Sequence, residues 1–288
     1  MSETLDRRLN AYRPDLADAA LEGRVAATRY VAGEPARVRV PVADLKARPD
    51  AAAGTDTQLL MGEEVAVFER AGGWCWVQAR ADGYVGYMPE SACAQSAGKP
   101  SHRVVVPRTF LYPGPDLRFP PVAALSAGSL VSIVDEAETR GTLYFVLADG
   151  SAVIGRHCLP TGQAATMDYV AIAEGFMETP YLWAGRSGFG IDCSGLVQLS
   201  LQLADRDAPR DSDMQEAGLG DLLPVARDRP ALRRGDFVFW KGHVGMMQDA
   251  ATLLHASGYT MSVTTEPLDE AVERIAAQYG PPSAYRRL

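Results

Sequence analysis

The chain has 288 residues, 47% of them hydrophobic and 22% charged, which is too long for one ordinary domain and too apolar for extended disorder, so two or three compact units are expected. A formal net charge of −8 argues against nucleic acid and other anionic polymers as partners and leaves small soluble ligands. Cys75, Cys93, Cys158 and Cys193 form no Cys-x-x-Cys pair and no histidines cluster at zinc-ligand spacing, so neither a structural metal nor another cofactor is called for.

At the start, Met1-Ser2-Glu3-Thr4-Leu5 leads into no apolar stretch of signal-peptide length, and no run approaches the roughly 18–20 apolar residues that span a bilayer. The expectation is a cytoplasmic protein with reduced thiols and no membrane partner. Residues 1–36 read as an N-terminal arm, with a short helical pattern at Asp15-Leu16-Ala17-Asp18-Ala19-Ala20-Leu21 and a break at Gly33-Glu34-Pro35. Residues 37–98 turn to short alternating runs, Arg37-Val38-Arg39-Val40, Glu64-Val65-Ala66-Val67-Phe68, Trp74-Cys75-Trp76-Val77 and Tyr84-Val85-Gly86-Tyr87-Met88, as in a small β-barrel. Residues 99–163 follow Gly98-Lys99-Pro100 and repeat the style imperfectly, with candidate strands at Arg103-Val104-Val105-Val106, Leu130-Val131-Ser132-Ile133-Val134, Tyr144-Phe145-Val146-Leu147 and Ala152-Val153-Ile154. Asp149-Gly150 marks a turn between the last two.

Residues 164–288 change period. Met167-Asp168-Tyr169-Val170-Ala171-Ile172-Ala173 reads as a helix, and a second helix begins at Cys193 with Leu196, Leu199 and Leu203 on one face. Gly235-Asp236-Phe237-Val238-Phe239-Trp240 and His243-Val244-Gly245-Met246-Met247 flank Lys241-Gly242 as a tight hairpin, and Ala251-Thr252-Leu253-Leu254-His255 supplies another strand. Helices first and an antiparallel sheet afterwards predict an α+β domain.

Cys193 stands in the first turn of its helix, behind a glycine-rich loop and just after Asp192, which can cap that helix. Unpaired amides and the helix dipole favour a thiolate there, and the expectation is a thiol pKa lowered towards roughly 3.5–7.5, on a helix end left at a rim. A nucleophilic cysteine needs a base, and the base needs a third group to orient it. His243 opens one strand and His255 ends the next, so antiparallel pairing would put both imidazoles on one face, with His243 the base and His255 its orienter.

Tyr181-Leu182-Trp183-Ala184-Gly185 before Asp192-Cys193-Ser194-Gly195-Leu196, then Gly235-Asp236 and the strand from His243, resembles the NlpC-type papain-like cysteine peptidases, which cut peptide stems of the bacterial cell wall. The upstream units look like the two bacterial SH3-like barrels that accompany one branch of that family, which cleaves between γ-linked D-glutamate and an L-diamino acid in free stem peptides. The resemblance implies an α+β fold with a C-terminal papain-like cysteine peptidase domain, two SH3-like β-barrels and a short N-terminal helical arm. It makes Cys193 the nucleophile, His243 the base, His255 the third member and Tyr181 a donor to the oxyanion beside the Cys193 amide. Pro209-Arg210-Asp211-Ser212-Asp213-Met214-Gln215 is similar to the segment that holds the free amine of an N-terminal L-alanine through Asp211 and Ser212, with Asp192 and Ser194 also implied at the substrate. Tyr84 matches an aromatic of the first barrel that closes this subsite, a part that Trp74, Trp76 or Tyr87 could take instead. A barrel roofing the cleft would exclude glycan-linked substrates and imply a recycling enzyme. Two other readings stand beside it, an amidase or acyltransferase of the same fold and a non-catalytic peptide-binding protein.

Overall fold

The computed structural model describes residues 5–95, 98–224 and 231–288. The leader reading on Met1–Thr4 and residues 96 and 97 of the expected first barrel lie outside the described residues. The chain divides into two compact units, Met1–Val104 with Arg108–Thr161, and Val105–Pro107 with Gly162–Leu288.

In the first unit an antiparallel sheet runs in the order Thr55–Leu60, Val42–Lys46, Val85–Pro89, Trp74–Ala79, Glu64–Ala71, Glu34–Val38, Cys93–Gln95. Its inner face buries Val38, Leu45, Leu59, Val65, Val67, Cys75, Val77 and Met88 in one core. Its outer face is covered too, because Ala66, Phe68 and Trp76 pack against Ala11 and Leu16 of the N-terminal arm. That contact overturns the helical arm expected from sequence. Leu16–Asp18 is a strand paired in parallel with Arg29–Val31, and only Ala19–Leu21 makes a single 3-10 turn. Asp18 caps that turn and Gly23, at φ +78°, follows it, leaving too few residues to nucleate an α-helix while Leu16 is drawn onto the barrel. The expected break at Gly33-Glu34-Pro35 is also strand from Glu34. Pro35 faces Ala66, and among the described residues pairing on the other side begins at Ala36.

The later part of this unit holds two further antiparallel sheets. One orders Leu130–Val131, His102–Val104 and Cys158–Pro160, and the other Ala123–Ser126, Arg108–Tyr112, Ala152–Ile154, Thr142–Leu147 and Ile133–Thr139. The continuous strand expected over 130–134 is thus divided between two sheets at Ser132. The Asp149-Gly150 turn is present, with Gly150 at φ +84° and its N–H donating to the Leu147 carbonyl at 2.9 Å.

In the second unit, α1 (Tyr169–Glu174), α2 (Cys193–Leu203), α3 (Ser212–Gly218) and α4 (Leu268–Tyr279) accompany an antiparallel sheet. Its order is Asp221–Leu222, Ala284–Arg287, Phe237–Trp240, His243–Met247, Thr252–Ser257, Ser262–Pro267. Asp168 caps α1 through two amides, and α1 and the strands His243–Met247 and Thr252–Ser257 enclose α2. Ten of the eleven α2 residues are buried, so the helix is a central strut and not the one-faced helix that its leucine spacing suggested. Among the described residues no helix is long and apolar enough to cross a membrane.

Candidate active site

The head of α2 is built around one carboxylate. Asp192 accepts the Gly195 N–H at 2.7 Å, which caps the helix, and receives both arms of Arg210, at 3.0 Å on Oδ1 and 2.7 Å on Oδ2. Arg210 also donates to Ser194 Oγ at 2.9 Å, and Gln215 donates to the Ser194 carbonyl at 2.9 Å, so the loop before α3 is tied to the first turn of α2. Gly195 is required by space, because a Cβ there would lie 2.4 Å from the Gly185 carbonyl oxygen. Downstream, Asp236 accepts two hydrogen bonds from Arg287 at 2.6 Å each and pins the C-terminal strand, so Gly235-Asp236 serves the sheet.

The hairpin forms as its sequence predicts, with Trp240 opposite His243 and Gly242 at φ +77°, a conformation glycine takes without strain. The next ladder is antiparallel with Met246 opposite Leu254, a register that sets Gly245 across from His255. Residues 243, 245 and 255 therefore share a face, and the bare Gly245 leaves room for both rings, since a Cβ there would come within 3.2 Å of His255 Cβ. His243 Nε2 and His255 Nδ1 are 2.8 Å apart. Behind them, His255 Nε2 lies 2.7 Å from Glu266 Oε1, an ion-pair distance whose angle falls short of ideal hydrogen bonding, and Arg274 donates to the same oxygen.

This order fixes the protons. Burial pushes Glu266 up, but His255 and Arg274 outweigh it and hold the carboxyl below its ordinary range, so it is an acceptor. His255 must then carry its proton on Nε2 and accept on Nδ1, His243 donates from Nε2, and His243 Nδ1 is left as a bare acceptor.

Cys193 is 6% exposed, and burial pushes its thiol up to about 12, with Asp192 adding to the rise. Hydrogen bonds from the Val244 and Ser194 amides and the charge of Arg210 act the other way without winning. The lowered thiol expected from the helix end is therefore not found, because desolvation exceeds what the helix end contributes. Burial likewise pulls His243 down to about 3, reinforced by His255 and Arg274 and opposed by Glu266. The thiol and the imidazole both rest uncharged.

Tyr181 is half-buried, and its hydroxyl is pushed up first by burial and then by the neighbouring Cys193 and Asp192, so it stays protonated and can donate. Asp211 heads α3 without using its carboxylate to cap it, and Ser212 is the first helical residue. The side chains of Asp192 and Ser194, expected at a substrate, are engaged inside the domain by Arg210. Tyr84 lies in the first unit, 5% exposed within the barrel core. It lines a cavity of about 370 Å³ with residues that include Arg7, Arg13, Trp76 and Tyr87, while Trp74 lies on the strand that carries Trp76. Among the described residues no group of ligating side chains could hold a metal ion. Sequence reading missed Arg210, Gln215 and Glu266. The β-branched run Val263-Thr264-Thr265 was the available signal for the strand that carries Glu266.

Residues 178–275 match the NlpC/P60 family and residues 45–92 match the bacterial dipeptidyl-peptidase SH3 domain. The chain is 28% identical over 242 residues to a gamma-D-glutamyl-L-lysine dipeptidyl-peptidase of Bacillus cereus, covering 74% of this chain and 71% of the relative. It is 28% identical over 245 residues to the protein of the same name from Bacillus subtilis, covering 75% and 77%. A crystal structure of an NlpC/P60 family protein from Bacillus cereus superposes with a TM-score of 0.72 at 22% identity, over 88% of this chain and 99% of that one, which shows a shared fold. The chain is a cysteine peptidase with an NlpC/P60 domain over residues 178–275 and a bacterial dipeptidyl-peptidase SH3 domain over residues 45–92.

Proposed function

We propose that the enzyme hydrolyses the bond between γ-D-glutamate and an L-diamino acid, either meso-diaminopimelate or L-lysine, in free peptidoglycan stem peptides that begin with an unblocked L-alanine, and so serves murein peptide recycling. The observation that carries this reading is the line His243, His255, Glu266, with 2.8 Å and 2.7 Å between its members and an acceptor nitrogen left at its front. The names of the relatives support the bond and the residue class.

Cys193 Sγ attacks the γ-carbonyl carbon as its proton passes to His243 Nδ1. The imidazolium that forms is held through its Nε2–H by His255, with the Glu266 carboxylate behind it to balance the charge. Tyr181, kept protonated, and the Cys193 amide donate to the oxygen on which negative charge develops. The carbon–nitrogen bond breaks, the diamino acid amine takes the proton from His243, and water activated by the same imidazole hydrolyses the thioester. Starting from an uncharged pair, sulfur ionises only as it attacks. Asp211 and Ser212 bind the ammonium of L-alanine, a charge-assisted contact.

Stem peptides with free or acetylated amines and with either diamino acid, analysed by mass spectrometry, test the proposal. Release of L-alanyl-γ-D-glutamate from free-amine peptides, with kcat/KM lowered about tenfold or more by acetylation, is the expected result. Cleavage at another bond, or indifference to acetylation, overturns the substrate assignment.

A further inference from the structure

We propose that Cys75 and Cys93, in the first unit and outside the peptidase site, form an oxidisable dithiol that closes to a disulfide in the presence of hydrogen peroxide. Cys75 on the strand Trp74–Ala79 faces Arg70 directly across the ladder, and Cys93 begins the strand Cys93–Gln95. The Arg70 guanidinium spans both sulfurs, with Nη1 3.1 Å from Cys75 Sγ and Nη2 3.7 Å from Cys93 Sγ. Two nitrogens of one planar group cannot reach two sulfurs unless the sulfurs are neighbours, and the charges of the two sulfurs act on each other.

A cation in that position repels a metal ion and works for a thiolate or sulfenate against the rise that burial gives the Cys75 thiol, so the pair is arranged for oxidation and not for ligation. The two sulfurs differ in access. Cys75 is fully buried, whereas Cys93, 9% exposed, borders a cavity of about 620 Å³ lined with Glu34, Pro35, Arg70 and Gln95. Cys93 is therefore the sulfur that peroxide meets. Its thiolate attacks one peroxide oxygen, the O–O bond breaks and hydroxide leaves, giving a sulfenic acid. The Cys75 sulfur then attacks the Cys93 sulfur, the S–S bond forms, the S–O bond breaks, and the oxygen departs with the thiol proton as water. Hydrogen peroxide accepts two electrons, and the two thiols give up two.

The test is peroxide treatment of the full-length wild-type chain, followed by intact mass measurement and a non-reducing peptide map. Loss of two hydrogens, a Cys75–Cys93 linked peptide and reversal by dithiothreitol are expected. Cys75→Ser should strand Cys93 as a sulfenic acid that dimedone captures, and Arg70→Gln should slow oxidation about tenfold or more. If the wild-type map shows no Cys75–Cys93 link under conditions that fully oxidise free cysteine, or if dimedone labels Cys75 before Cys93, the proposal fails. The wild-type map decides the matter even if a variant does not fold.

Discussion

Arg210 grips Asp192 with two nitrogens, and the residue after Asp192 carries the thiol. Arg210 is 1% exposed, so its side of this ion pair is buried, and the guanidinium also donates to Ser194 Oγ and to the Gly185 carbonyl. Replacing it by methionine strands the carboxylate, and loss of one partner of a buried pair costs about 3–5 kcal/mol. Arg210→Met should lower the urea midpoint accordingly. Arg210→Lys should recover only part, because an ammonium cannot match the two-pronged geometry. Equal stability of wild type and Arg210→Met would mean the clamp holds nothing.

Cys193→Ala should abolish turnover while tripeptide binding, followed by calorimetry, stays within severalfold of wild type. Removing a nucleophile that works in a unit costs several orders of magnitude, on the order of a millionfold in a well-studied protease. Residual activity near wild type would exclude the thioester route.

Glu266→Gln should leave KM nearly unchanged and lower kcat by roughly ten- to a hundredfold. An amide can present either a donor or an acceptor to His255 Nε2, so the proton order behind His243 is no longer enforced. Glu266→Asp, keeping the charge, should restore part of the rate. A purely structural Glu266 would instead shift melting without separating kcat from KM.

With the His243 imidazole drawn down to about 3, the base stays unprotonated far into the acid range, and kcat/KM should hold at pH 5 where an ordinary imidazole is mostly protonated. Stability moves with the same group. Between about 3 and 6.5 the unfolded chain binds the proton that the folded one refuses, so the contribution of His243 is complete above 6.5 and is lost as pH falls. The loss reaches about 4 kcal/mol at the acid end. Melting curves of wild type and His243→Gln at pH 7 and pH 4.5 check this, and parallel acid destabilisation of the two would contradict it.

Gly195→Ala should be poorly tolerated although alanine favours helices. The added methyl meets backbone, the Gly185 carbonyl, which cannot rotate away, and overpacking of this kind costs about 1–3 kcal/mol. A variant as stable and active as wild type would show that the loop yields.

The peptidase half was legible because its signals are local. The Lys241-Gly242 turn, the cap at Asp192 and the alternation that puts His243 and His255 on one face are each written in a few adjacent residues. What escaped depends on partners far along the chain. Leu16 goes to a strand because Phe68 and Trp76 await it, and the thiol is pushed up because α2 is enclosed from all sides. Arg210 and Glu266 are ordinary surface residues by type, and only their burial or their neighbours assign them work. The strand Ser262–Pro267, α4 and the final strand were unread, although Leu268, Ala271 and Ile275 are spaced for a helix.

One strand carries the His243 ring and brings the Val244 amide to the Cys193 sulfur, and a turn of only two residues sets its phase. Because side chains alternate with period two, adding or deleting one residue in that turn would swing the imidazole to the opposite side of the sheet and misplace the amide in the same stroke. Between Trp240 and His243 the chain keeps a fixed reading frame.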